Sequence, residues 1–256
     1  MLAPRLFVDP ALVAGTSLVL PSGAARHVQV LRLQPGDALT LFDGNGGEYG
    51  ASVLAMGRSD VSVQVGSWVE VEREMPFKVT LALGMPANDR MDALVEKATE
   101  LGAAVIQPLV CARSVLRLSG ERAAKRLAHW RAVAVSACEQ SGRTRVPLLH
   151  PVRTLSEWLA DLPLPPRRVP SMRRWLLSLS GDAQTDSDAD AQPVPQGETL
   201  CLSGPEGGLD ADEEALAMAR GFRRLSLGPR VLRADTAPLA LLAGLAWQAR
   251  RTAAAP

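Results

Sequence analysis

The sequence predicts an α/β protein in two parts, a small β-rich barrel over residues 1–72 and a mostly parallel sheet with helices over 73–256. Two observations carry this. Before residue 72 the apolar runs are short, β-type and separated by turn residues. After it, apolar strand-like runs alternate with segments of helical periodicity, the pattern of successive βα units.

In the first part the strand candidates are "LFV", "SLVL", "ALTLF", "EYGASVLAM" and "VSVQV". Asp43-Gly44-Asn45-Gly46-Gly47 links two of them as a hairpin loop. His27–Asp37, "HVQVLRLQPGD", reads as one helical turn followed by a Pro-Gly-Asp turn. In the second part Lys78–Leu83, "KVTLAL", is a buried strand, and Asn88 or Asp89 caps a helix carrying Met91, Leu94, Val95, Ala98 and Leu101 at helical spacing. Gly102 stops that helix, and "AVIQPLV" is the next strand. Residues 120–140 form a longer helix with Ala123, Leu127, Trp130, Ala134 and Ala137 on one face. A helix at "LSEWLA", a strand at "RWLLSL" and an acidic stretch over 181–197 follow; the last lacks periodicity and reads as a disordered surface loop. Then come the strand "ETLCL", a helix opened by the capping box Asp210-x-x-Glu213, the strand "RRLSL" and an apolar C-terminal helix, "LALLAGLAW".

Composition narrows the function classes. A formal net charge of +1 does not by itself announce a nucleic-acid partner. The distribution of charge suits an RNA-binding surface or a solvated helix face, because residues 113–145 carry eight basic side chains against Glu121 and Glu139. Three of the 28 basic residues are lysine, leaving 25 arginines; genome base composition is one source of such a bias, and arginine's planar fork also suits phosphates and base edges. Three cysteines without metal-type spacing read as reduced core thiols, and no metal site is expected. With no apolar stretch of membrane-spanning length and no signal-type N-terminus, a cytoplasmic location is expected.

Two similar loops are expected to follow two neighbouring strands, Ser203–Gly208 after "ETLCL" and Gly228–Thr236 after "RRLSL". Glycine permits close backbone approach and proline holds the loop's shape, and in open α/β sheets ligands bind beyond the carboxyl ends of the strands. No G-x-x-x-x-G-K-[ST] and no G-x-G-x-x-G after the early strands is present, so phosphate-loop and Rossmann sites are disfavoured. On spacing alone, a structural turn and a ligand cradle are equally compatible with these loops.

"LSGPEGG" followed by "SLGPRVLRADTA" resembles the cofactor signature of the RsmE family of small-subunit ribosomal RNA methyltransferases, within the SPOUT superfamily. The likeness extends to "RHVQVLRLQPGD", "DRMDALVEKATELGA" and "SACEQSGR" in the same order. The resemblance implies a PUA-like N-terminal barrel that helps bind RNA, and an α/β domain closed by a deep C-terminal trefoil knot over about 198–245. It also implies a homodimer, S-adenosylmethionine as cofactor, and methylation of N3 of one uridine in 16S ribosomal RNA. Carried over by motif, the cofactor would be held by Leu202, Ser203, Gly204, Glu206, Gly207, Gly208, Leu227, Gly228, Arg230, Val231, Leu232 and Arg233. Glu206 has a plainer alternative, bracing the loop by accepting backbone N–H bonds.

Uridine N3 must lose a proton before it attacks a methyl group, so an acceptor or an anion stabiliser is required. Arg233 and Arg143 are the candidate stabilisers, and Glu139 and Asp235 the candidate bases; Glu139 and Arg143 have the plainer alternative of capping or pairing at a helix end. Asp235 stands where the family usually has glutamate, one methylene shorter. Arg5, Arg26, His27, Arg32, Arg113 and Arg143 are the candidate RNA contacts. Two rival readings are a non-catalytic RNA-binding assembly factor and a SPOUT enzyme acting on another RNA.

Overall fold

A computed structural model describes residues 3–9, 11–58, 60–87, 90–164, 172–178 and 197–253. The chain divides into two compact units: residues up to Glu74 with Val135–Val146, and Met75–Ala134 with the residues from Pro147 onward. The sequence places Val135–Val146 with the larger part; the structure groups them with the smaller.

The first unit is a five-stranded sheet of β1 (Arg5–Phe7), β2 (Ser17–Val19), β3 (Ala38–Phe42), β4 (Glu48–Met56) and β5 (Val61–Val69), in the order β1-β3-β4-β5-β2. Its hydrogen-bonded path is open between β1 and β2, and β1 pairs with β3 in parallel. Strand β5 shows why the sequence folds this way. Val61, Val63 and Val65 are buried while Ser62 and Gln64 alternate outward, a period of two set by the pleat. A helix, α1 (Ser22–Val30), packs Ala24, Ala25 and Val28 into the same core as Leu6, Leu39 and Leu41. It starts five residues before the turn expected at His27, because the small, uncharged Ser22–Ala25 segment continues the apolar face behind Pro21, which is well suited to a helix start. The expected Pro-Gly-Asp turn follows, with Gly36 at φ +94°.

Glu48 holds this unit together electrostatically. Its carboxylate accepts hydrogen bonds from Arg5 and from Arg73 (3.2 Å). Burial alone would push the Glu48 carboxyl up, but the two guanidinium groups outweigh it and hold the group below its ordinary value of 4.5. A depressed carboxyl contributes stability above its unfolded value and loses it as pH falls through the folded value. Glu48→Gln is therefore expected to cost about 1–2 kcal/mol at pH 7. In urea melts across pH 3–7 the variant and wild-type curves should converge below 4.5.

The second unit is a sheet of β6 (Val79–Gly84), β7 (Val105–Val110), β8 (Leu148–Leu149), β9 (Arg153–Thr154), β10 (Met172–Leu177), β11 (Glu198–Ser203) and β12 (Arg223–Leu225). All ladders are parallel and the order is β12-β10-β11-β6-β7-β8, with β9 also on β7. Helices α2 (Arg90–Glu100), α3 (Gly120–Ser141), α4 (Leu155–Asp161), α5 (Ala211–Ala219) and α6 (Thr236–Ala253) connect or flank the strands, and α3 contributes to both units. Central strands of such a sheet are buried on both faces, as β6 is through Val79, Leu81, Ala82 and Leu83. The capping box forms as expected: Asp210 accepts from Glu213 N (2.8 Å), and Glu213 accepts from Asp210 N (3.1 Å). The expected caps Asn88 and Asp89, and residues 181–196 of the acidic stretch, lie outside the described residues. Strands β8 and β9 have no counterpart in the sequence reading, because two-residue strands carry no periodicity. Among the described residues no helix is long and apolar enough to cross a membrane.

Register brings the site together. Ser203 lies opposite Leu83, Leu202 opposite Leu176, and Leu177 opposite Leu225, so the carboxyl ends of β6, β11, β10 and β12 come level at one edge. The two glycine-containing loops, expected to follow neighbouring strands, instead follow β11 and β12, which flank β10 on either side.

Candidate active site

The loop after β11 folds back on itself. Gly208 N donates to Pro205 O (2.8 Å), and a Cβ on Gly204 would lie 3.0 Å from Gly208 C and Leu209 N. Gly208 sits at φ +70°, a left-handed conformation that glycine adopts without a Cβ clash. The end of β6 presses against the same loop, so that a Cβ on Gly84 would fall 2.6 Å from Pro205 N. Glu206 takes the bracing role: it accepts from Ala87 N (3.0 Å) and pairs with Arg90 (3.3 Å).

The loop after β12 turns at Gly228, φ +103°, and ends where Arg233 O accepts Thr236 N (2.9 Å) and Ala237 N (3.0 Å) at the start of α6. Between the loops lies a cavity of about 700 Å³, within the usual range of small-molecule sites. Leu177, Leu225, Leu227, Leu232 and Ala237 give it apolar walls, while Ser203–Leu209 supply backbone and Arg90, Arg230 and Arg233 supply charge. Of the twelve expected cofactor residues, ten line this cavity; Leu202 is wholly buried in the strand below, and Gly228 makes the turn.

Two lining residues have no signal in the sequence, and neither has Gly84, which packs behind the loop. Ser178 lines the cavity from the end of β10. Glu214 lines it from α5, held by Arg224 of β12 through Nη2 (2.7 Å) and Nε (3.1 Å). Each position depends on sheet order rather than on local pattern.

Other expected site residues are engaged inside the first unit. Arg143 is 4% exposed, and its guanidinium is bound through Nε to Glu74 Oε1 (3.0 Å) with a second bond to the other carboxylate oxygen. Arg5 donates to Glu48 and to Arg143 O (3.0 Å) and lies over the Phe42 ring, 5.1 Å from its centroid. Both guanidinium groups are thus engaged by partners within the first unit. Glu139 accepts from Phe7 N (3.0 Å) and pairs with His27 Nδ1 (3.3 Å). Burial pushes its carboxyl up against the pull of those partners, but both oxygens are occupied, so it is an internal strut rather than a free base. Arg26 and Arg32 remain exposed, and Arg32 is the one non-glycine residue with positive φ (+57°) among the described residues. In the second unit Arg113 contacts loop carbonyls, and Asp235 stands directly before α6, outside the cavity lining.

Burial pushes the Cys111, Cys138 and Cys201 thiols up to about 12, which leaves no thiolate for nucleophilic catalysis at neutral pH. Among the described residues no cluster of three His, Cys, Asp or Glu could hold a metal ion.

Comparison with known proteins places this architecture. The sequence matches the RNA methyltransferase domain family over residues 73–246 and the RNA methyltransferase PUA domain family over 20–66. The ribosomal RNA small subunit methyltransferase E of Bacillus subtilis is 34% identical over 223 residues, 86% of each chain. Its Synechocystis counterpart is 32% identical over 95% of this chain and 77% of its own. Among solved structures, ribosomal RNA small subunit methyltransferase E from Neisseria gonorrhoeae, bound to S-adenosyl methionine, superposes with a TM-score of 0.85 at 34% identity, covering 95% of this chain and 96% of the other. A Legionella pneumophila protein in complex with the same cofactor gives a TM-score of 0.85 at 32% identity, covering 96% and 97%. A family match over most of the chain and relatives above 30% identity over most of their length agree, and the chain belongs to the ribosomal RNA small subunit methyltransferase E family.

Proposed function

We propose that this protein transfers a methyl group from S-adenosylmethionine to N3 of a uridine in 16S ribosomal RNA, as a cytoplasmic homodimer. The observation that carries this is the cavity between the loops after β11 and β12, in a chain whose relatives of known structure hold that cofactor. The residues present fit the group. Ser203–Leu209 present backbone along one wall of the cavity, and leucine walls suit a flat nucleobase. When bound, S-adenosylmethionine supplies a methyl group on a positively charged sulfur.

The chain's residues supply position and charge. Backbone groups of Ser203, Gly204, Gly207 and Gly208 orient the ligand, and Leu225, Leu227 and Leu232 exclude water. Arg233, exposed on the second loop and lining the cavity, stabilises the uracil oxygen as N3 loses its proton, and Asp235, two residues further along the same loop, is the candidate acceptor of that proton. Arg26, Arg32 and the exposed basic residues of α3 hold the RNA backbone. Trp247 on α6 (65% exposed) and Val231 on the second loop (79%) favour an apolar interface between two copies. The first unit contributes to RNA docking, the second carries the chemistry together with the basic face of α3, and the C-terminal segment forms a trefoil knot about the two loops.

The test is methyl transfer from labelled S-adenosylmethionine to small subunits lacking the modification and to naked 16S ribosomal RNA, with the product nucleoside identified by mass spectrometry. N3-methyluridine at one site is expected. Label in a different nucleoside or a different RNA would replace the substrate assignment, and cofactor binding without transfer to any RNA would favour a non-catalytic assembly factor.

A further inference from the structure

We infer that Arg113 is a positioning residue for the cofactor loop, not an RNA contact, and that by fixing the peptides on either side it makes the Gly208–Leu209 peptide group a reading edge of set direction. This rests on the cofactor reading above and goes beyond it by naming how the loop is held and which group reads the ligand.

Arg113 stands on a rigid base. It lies in the turn after β7, closed by Ser114 N on Cys111 O (3.0 Å) and by Cys111 N on Ser114 Oγ (2.9 Å), with Cys111 and Ser114 buried. The neighbouring Ala112 N donates to Glu213 Oε1 (2.7 Å), which ties the same turn to the start of α5. From this base the side chain lies along Gly207, where an added Cβ would meet Arg113 Cβ at 3.0 Å and Cδ at 3.4 Å. Its Nη1 then donates to Gly207 O (2.9 Å) and Leu209 O (3.4 Å).

Those two bonds complete a pattern. The Gly207–Gly208 peptide is held at both ends, its oxygen by Arg113 and its N–H by Pro205 O (2.8 Å). The Leu209–Asp210 peptide is held likewise, its oxygen by Arg113 and its N–H by Glu213 Oε2 (3.1 Å). Between them the Gly208 C=O and Leu209 N–H have no protein hydrogen-bond partner among the described residues, and both residues line the cavity. With its two neighbours fixed, that peptide plane cannot rotate freely, so its donor and acceptor are presented to a ligand in a set direction. Preorganised backbone groups of this kind bind without reorganisation cost.

Both carbonyls converge on one nitrogen, so a point donor can replace the arginine fork. Lysine should therefore substitute here, as it would not at a bidentate phosphate contact. The experiment compares wild type, Arg113→Lys and Arg113→Met by calorimetric titration with S-adenosylmethionine, and by the salt dependence of binding to 16S ribosomal RNA. Expected are a dissociation constant for the cofactor raised about tenfold in Arg113→Met and about threefold or less in Arg113→Lys, with an unchanged salt slope in both. A cofactor constant unmoved in Arg113→Met, with a salt slope lower by about one, would overturn the inference and restore Arg113 as a phosphate contact. Failure of the wild type to bind S-adenosylmethionine would instead overturn the cofactor reading, and this inference with it.

Discussion

Gly84→Ala is expected to weaken S-adenosylmethionine binding by about ten- to a hundredfold while leaving the fold intact, because overpacking costs about 1–3 kcal/mol and each tenfold in affinity is about 1.4 kcal/mol. The residue ends β6, opposite Leu109 of β7, and its backbone conformation is one that alanine shares. The whole effect is therefore steric. An added methyl would lie 2.6 Å from Pro205 N, 2.6 Å from Pro205 Cδ and 2.9 Å from Gly204 C. Two of those three atoms are backbone, so no side-chain rotation relieves the contact, and the loop after β11 must move. The strand is secured independently by its ladders to β7 and β11, so displacement falls on the loop. Calorimetric titration with the cofactor measures the effect, and far-UV circular dichroism checks the fold. Gly23→Ala is the control: nothing lies within 4 Å of its added methyl, and α1 should gain slightly from the better helix former. Unchanged cofactor affinity in a folded Gly84→Ala protein would show that the loop tolerates the shift.

Arg143→Met should destabilise the protein by about 3 kcal/mol, because removing one member of a buried ion pair strands the other without its charge partner. The arginine side chain is 5% exposed and that of Glu74 15%, so water compensates little. At this chain length the change corresponds to a melting temperature lower by roughly 10 °C. Pairing the change with Glu74→Gln removes the stranded charge and should recover part of the loss, a non-additivity read directly from a double-mutant cycle. The same double variant separates structure from chemistry. If Arg143 served the reaction, methyl transfer would stay low wherever the double variant is folded; with Arg143 as an internal strut, activity should return with stability.

The fate of the arginines marks the limit of what local pattern conveys. A basic run over 113–145 is plain in the sequence, and the inference of a basic surface follows from counting charges. Counting does not separate Arg143, enclosed by Glu74, or Arg113, spent on two carbonyls, from Arg122 and Lys125, which stand exposed on α3. Their acceptors lie 69 and 94 residues away in the chain, and no residue near either arginine announces them. The partner of Glu139 is equally remote, since Phe7 N lies 132 residues distant.

What the sequence by itself determined is what depends on neighbours along the chain. The alternating valines of β5, the capping box at Asp210 and Glu213, the glycines that turn at 208 and 228, and the two loops that frame the cavity were all legible, because each follows from backbone conformation or from a period of two or 3.6 residues. Only the tertiary structure decided that β10 separates the strands bearing those loops, that Gly84 touches Pro205, that Glu214 reaches the cavity and that Val135–Val146 group with the first unit. These depend on which strand lies beside which, and strand order is set by the joint burial of the whole sheet, which no single segment of the chain encodes.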